Sequence, residues 1–187
     1  MIYKIVNDVN KALDGDAYLA ALSLVLTLPD ICAKAKYPTD RNKERYIKWY
    51  DEYIGKYEHP GYDEDNDDVH NPYLSGEVIY NLRCNVLHQG TLNIDKDKIQ
   101  EEDNKIDRFI LLIEKKKPVE IYADTSERST NNWSEKVERT YRVNIRRLCF
   151  IITTVCKNYY ERHKEQFDFF NYEIVDWDEE VKRLNRK

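Results

Sequence analysis

Residues 17–28, AYLAALSLVLTL, carry no charged side chain and are apolar on almost every side of a helix. A helix of that kind offers no polar face to water, so other elements have to surround it. Together with PDICAKA behind it, the stretch predicts a central buried helix that Pro29 kinks or divides near residues 27–28. Asp16 stands where it would cap that helix. A transmembrane helix needs about 20 apolar residues, and the uncharged run is shorter than that.

The flanking segments supply the surroundings. Ile2, Ile5, Val6, Val9 and Leu13 recur at helical spacing and predict a first helix that ends at Asp14 and Gly15. Thr39 or Asp40 caps a helix through RNKERYIKWYDEYIGKY. Its Tyr46, Trp49, Tyr50 and Tyr53 form one aromatic stripe for the core or a subunit interface. Ser75 caps a further helix, GEVIYNLRCNVLHQ, with Val78, Leu82 and Val86 inward and Gly90 ending it in the left-handed conformation. Between these two helices, HPGYDEDNDDVHNP reads as an acidic loop. Its Asp63, Asp65 and Asp67 resemble the start of a calcium loop, but Asp68 and Leu74 stand where Gly and Glu are required.

The later part changes character. FILLIEKKKPVEIYAD has two apolar runs around a lysine-rich turn and predicts a β-hairpin, 109–113 with 119–122. DTSERSTNNW reads as a loop, followed by a long helix from Ser134 to about His163. The tail, 166–187, is expected to dock through Phe169, Phe170 and Trp177 and to end in a short helix. Only five Gly and five Pro occur in 187 residues, which favours helices over a many-turned β fold. The fold class expected is mainly α: one domain over 1–187, an antiparallel helical bundle with a small β-hairpin appendage near 109–122.

The formal net charge of −5 counts against a dedicated DNA-binding domain, while leaving room for a local basic site. Arg139, Arg142 and Arg146, with Lys115, Lys116 and Lys117, are candidates to line an RNA path; a solvated face paired with Glu135 and Glu138 is the plainer reading. Cys32, Cys84, Cys149 and Cys156 form no CxxC pair, and His59, His70, His88 and His163 have no metal-ligand spacing with them. Free thiols in a reducing compartment and no metal cofactor are expected. The first 15 residues are charged throughout and hold no apolar signal core, so a cytoplasmic protein without a membrane segment is expected.

The chemistry concentrates in Leu82-Arg83-Cys84-Asn85-Val86-Leu87-His88-Gln89-Gly90. RNA cleaves itself when a 2′-hydroxyl attacks the adjacent phosphate. A catalyst must move a proton and hold the added negative charge. Histidine, with an ordinary pKa of about 6.5, does the first, and arginine does the second through paired donors. No metal is needed. Five residues of α-helix rotate a side chain by about 140°, so Arg83 and His88 would meet only if the helix ended before His88, or if two subunits each contributed.

Arg83 and His88, separated by four residues near a helix end in an all-helical chain, resemble the motif of the HEPN superfamily. The resemblance covers roughly residues 1–90 and 135–163. It implies an α-helical bundle, a homodimer, and metal-independent cleavage of RNA, as in toxins of toxin–antitoxin pairs and phage-defence nucleases; an antitoxin or another protein partner would follow. Residues 29–34, PDICAK, and 73–90, YLSGEVIYNLRCNVLHQG, also resemble a family of bacterial proteins of unassigned activity. The superfamily's enzymes usually place Asn, Asp or His directly after the arginine. Cys84 stands there, a weak hydrogen-bonding group, so either Asn85 takes the orienting role or the site is impaired. Three readings stay open: a ribonuclease using Arg83, His88 and Asn85; a non-catalytic HEPN-like module that binds nucleotide or protein; and a plain helical interaction domain.

Overall fold

The computed structural model of the protein describes residues 1–58, 73–113, 123–131 and 134–185. The acidic loop, Lys115, Lys116, Lys117 and the expected second hairpin strand at 119–122 lie outside these residues. The architecture is mainly helical, with a small sheet.

Helix α1 (Ile2–Asp14) ends at Gly15 and lays Ile2, Val9 and Leu13 on the core. The apolar run is divided where Pro29 requires, into α2 (Tyr18–Val25) and α3 (Leu28–Lys36). Asp16 caps neither: it adopts a left-handed φ of 57°, and its carboxylate accepts from the Tyr18 hydroxyl instead. Taken together, Tyr18–Lys36 is long and apolar enough to cross a membrane by length and composition, and half of it is buried within the protein.

Helix α4 (Asn42–Tyr50) follows Arg41 and gains no side-chain cap from Thr39 or Asp40. It runs into a π turn, Asp51–Gly55, and the short α5 (Lys56–Glu58). Its aromatic stripe is core: Tyr46, Trp49 and Tyr50 are fully buried, and Trp49 stacks on Tyr53 at 4.9 Å between centroids. Helix α6 (Gly76–Cys84) is capped by Ser75, whose hydroxyl accepts from the Val78 N–H.

The sheet corrects the expectation for residues 109–144. Strand β1 (Arg108–Leu112) forms where a strand was expected, but it pairs in parallel with β3 (Ser134–Asn144), Phe109 opposite Tyr141 and Leu111 opposite Val143. The hairpin lies later. Strand β2 (Ala123–Asn131), expected as loop, runs antiparallel to β3, giving the order β1-β3-β2. The long helix therefore begins not at Ser134 but at Ile145, as α7 (Ile145–Arg162), capped by the Asn144 side chain accepting from the Arg147 N–H. Tyr141 and Val143, two apart, bury one face of β3 as strand periodicity demands.

Helix α7 is the central element: it packs against α1, α2 and α3 through Ile145, Leu148, Cys149, Ile152, Cys156 and Tyr159. Helix α2 is less enclosed than its composition implies, since Leu19 and Ala20 are exposed at its start. In the tail, Phe167 is buried and Phe169 and Phe170 pack on the core, but Trp177, at the start of α8 (Trp177–Leu184), is 68% exposed and does not dock.

Candidate functional site

Helix α6 does not stop before His88. It continues into a second π turn, Asn85–Gln89, closed by the Gly90 N–H to the Asn85 carbonyl and by Gly90 at φ 66°. Hydrogen bonds in a π turn run i→i+5, so the backbone winds more slowly and residues five apart return to nearly the same side. Arg83 Nη1 and His88 Nε2 consequently stand 3.3 Å apart within one chain. Neither route expected from the sequence, an early helix end or a second subunit, is used for this contact.

A guanidinium carries donors only. Any hydrogen bond between the two therefore runs from Arg83 to His88 Nε2, and it requires the ring hydrogen on Nδ1. The imidazole is exposed, whereas the Arg83 side chain is only 14% exposed. The second Arg83 arm reaches Asp30, Nη2 to Oδ2 at 3.0 Å. Asp30 lies in the first turn of α3, where the helix dipole favours a carboxylate. Its other oxygen takes Arg45 Nη2 of α4 at 3.4 Å, and the same nitrogen donates to Asn42 at 2.6 Å. The Nε atoms of Arg45 and Arg83 are buried and have no partner.

Asn85 does not orient Arg83 or His88. Its buried amide donates to Asn81 Oδ1 at 3.1 Å and to the Asn93 carbonyl at 2.7 Å. Asn81 Oδ1 also accepts from the Asp95 N–H, and its amide donates to the Asp95 carbonyl. The two asparagines thus fix the chain that follows the motif. Asn85 also borders a polar cleft of about 490 Å³ that includes Gln89, Lys98, Arg108 and Phe109. Cys84 is half-buried beside Tyr80, whose hydroxyl is pushed up by burial and by its hydrogen bond to Cys84.

Two of the basic residues considered for an RNA path, Arg139 and Arg146, bond to backbone carbonyls of the fold. Arg139 lies on a strand and donates Nη1 to the Glu102 carbonyl at 2.7 Å, and Arg146 donates to the Leu13 carbonyl at 2.8 Å. Asp30 and Arg45 were missed as site residues. The sequence signal for Asp30 lies inside PDICAK, one of the two stretches that carry the bacterial-family resemblance. Among the described residues, no group of three His, Cys, Asp or Glu is arranged to hold a metal ion.

Comparison with family models, with curated proteins and with solved structures yields no match.

Proposed function

We propose that the protein is a HEPN-like, metal-independent endoribonuclease, acting in the cytoplasm as a homodimer in a toxin–antitoxin or phage-defence setting. The observation that carries this reading is the 3.3 Å approach of Arg83 to His88 on the π turn. It joins a phosphate-binding guanidinium to an exposed imidazole. When Arg83 turns from His88 to the non-bridging oxygens, the freed His88 Nε2 lone pair takes the proton of the RNA 2′-hydroxyl, and the 2′-oxygen attacks phosphorus. The 5′-oxygen then leaves with a proton from water, giving a 2′,3′-cyclic phosphate and a 5′-hydroxyl.

One observation favours a non-catalytic HEPN-like module instead. Arg83 already commits one N–H of each terminal nitrogen, to Asp30 and to His88, while Asn85 is turned away from both. On that reading the cluster holds a nucleotide or protein partner and performs no chemistry. Incubating the protein with a single-stranded RNA pool in EDTA separates the two. Cyclic-phosphate ends that vanish with His88→Ala and with Arg83→Ala support the enzyme. Intact RNA under conditions where it binds supports the module.

A further inference from the structure

Building on the ribonuclease reading, we infer that Arg45 is a second phosphate-holding residue, joined to Arg83 as a two-arginine clamp that Asp30 sets in position. Arg45, Arg83 and Asp30 come from α4, α6 and α3, so three helices converge on one carboxylate. Each Asp30 oxygen takes a different guanidinium, Oδ1 that of Arg45 and Oδ2 that of Arg83. Two cations against one anion leave a surplus of one positive charge, in a chain whose formal net charge is −5.

That surplus is shielded. The side chains of Arg45, Arg83 and Asp30 are 18%, 14% and 18% exposed. Withdrawing an unbalanced cation from water is unfavourable unless an anion completes the group. A structural tie between α3 and α6 would need only the Arg83–Asp30 pair, and the second arginine makes that tie worse in charge. It improves the cluster only when a further anion arrives. Guanidinium pairs match the oxygens of a phosphodiester in shape as well as charge. His88 lies against the same Arg83, so a phosphate held by the clamp sits beside the proposed proton carrier. Asp30 is a positioning residue: it fixes the two arginines and does not itself contact RNA.

The test uses a 5′-fluorescent, single-stranded RNA with 2′-O-methyl groups, which has no 2′-hydroxyl to attack. Its affinity is measured by anisotropy across a salt series, alongside cleavage of the unmodified RNA. Each phosphate contact to a single strand contributes about −0.7 to the slope of log affinity against log salt. Arg45→Ala should weaken binding by roughly tenfold, the loss of one charge-assisted contact, and flatten the slope by about 0.7. Arg45→Lys should restore the slope, and Arg45→Gln should not; these two serve if the alanine variant fails to fold. Asp30→Asn should keep or raise affinity while slowing cleavage.

Binding and slope unchanged in Arg45→Ala or Arg45→Gln, with wild-type cleavage intact, would overturn the clamp and leave the ribonuclease standing. Arg45-dependent binding with no cleavage by the wild type would retain the clamp as a phosphate site and reject the ribonuclease. An RNA that the wild type does not bind rejects the clamp.

Discussion

The carboxylate of Asp51 accepts a hydrogen bond from the Gly76 N–H at 2.6 Å, which fastens the first π turn to the start of the helix that carries Arg83. Gly76 also lies against the α4 backbone. A Cβ there would come to 2.6 Å from the Ile47 carbonyl oxygen and 2.8 Å from Asp51 Oδ2. The first obstacle is backbone, which does not swing aside. Gly76→Ala should therefore destabilise the protein by about 1–3 kcal/mol, as overpacking does. A urea midpoint equal to that of the wild type would show that α4 and α6 are not so closely apposed.

The same pair has a pH signature. Burial raises the Asp51 carboxyl above its ordinary value of 3.8, although the Gly76 N–H pulls it down. A carboxyl raised in the folded state binds its proton more tightly there than in the unfolded chain. Its contribution to stability is complete below 3.8 and is lost as pH rises through the folded value. In Asp51→Asn this dependence should disappear. The stability difference, wild type minus variant, should then fall with rising pH across that window and level off above it. A difference that rises with pH would mean that the Gly76 bond outweighs burial.

The helices were legible because their signals are local. Pro29 divided α2 from α3, Ser75 began α6, and Gly90 ended the helical stretch that carries the motif, each through its own backbone or side-chain chemistry. The sheet was not, because β1 meets β3 across some 30 residues and no local pattern reports that pairing. Arg139, Arg142 and Arg146 misled: spacings of three and four imitate a helix, yet the first two lie on β3. Asn144, directly before the apolar run from Ile145, was the overlooked start signal. At the site, Arg83 and His88 were legible as residue types at a spacing. Their contact was not, because a spacing of five reads as divergent on an α-helix and only the π turn reconciles it. The Asp30 tie is non-local, 53 residues away in sequence.

The π turn can be tested by moving the imidazole one residue. Leu87→His/His88→Leu shifts it one position back along the π turn, away from the place from which Nε2 reaches Arg83. Cleavage should fall by about a hundredfold or more, the range of a lost general base, with the fold kept. Full activity in this double variant would mean that the register of His88 does not set the site.

Thiol chemistry should single out Cys84. Cys32, Cys149 and Cys156 are buried, and burial pushes the Cys149 thiol up to about 12 and the Cys156 thiol well above its usual range. Thiolates are the reactive species, so Cys149 and Cys156 are doubly protected, and Cys32 is protected by its burial. At pH 8 an aromatic disulfide reagent should modify one thiol of the native protein rapidly and all four after unfolding. Cys84→Ala should remove the fast phase. Two or more fast thiols would show that the α3–α7 core opens readily.

The tail should divide into a part that holds the fold and a part that does not. Phe167 is 6% exposed and sits among Tyr159, Tyr160, Phe169 and Phe170, with ring centroids 4.9 to 6.4 Å away. Removing it leaves a cavity against α7, so Phe167→Ala should cost about 3–5 kcal/mol. Trp177 is the larger side chain but meets mostly solvent, and Trp177→Ala should change stability by no more than about 0.5 kcal/mol. Chemical denaturation of both variants decides the matter at several protein concentrations. A large, concentration-dependent loss in Trp177→Ala would mean that a second copy covers α8. A small loss in Phe167→Ala would mean that the residues after α7 are held by something other than their aromatic cluster.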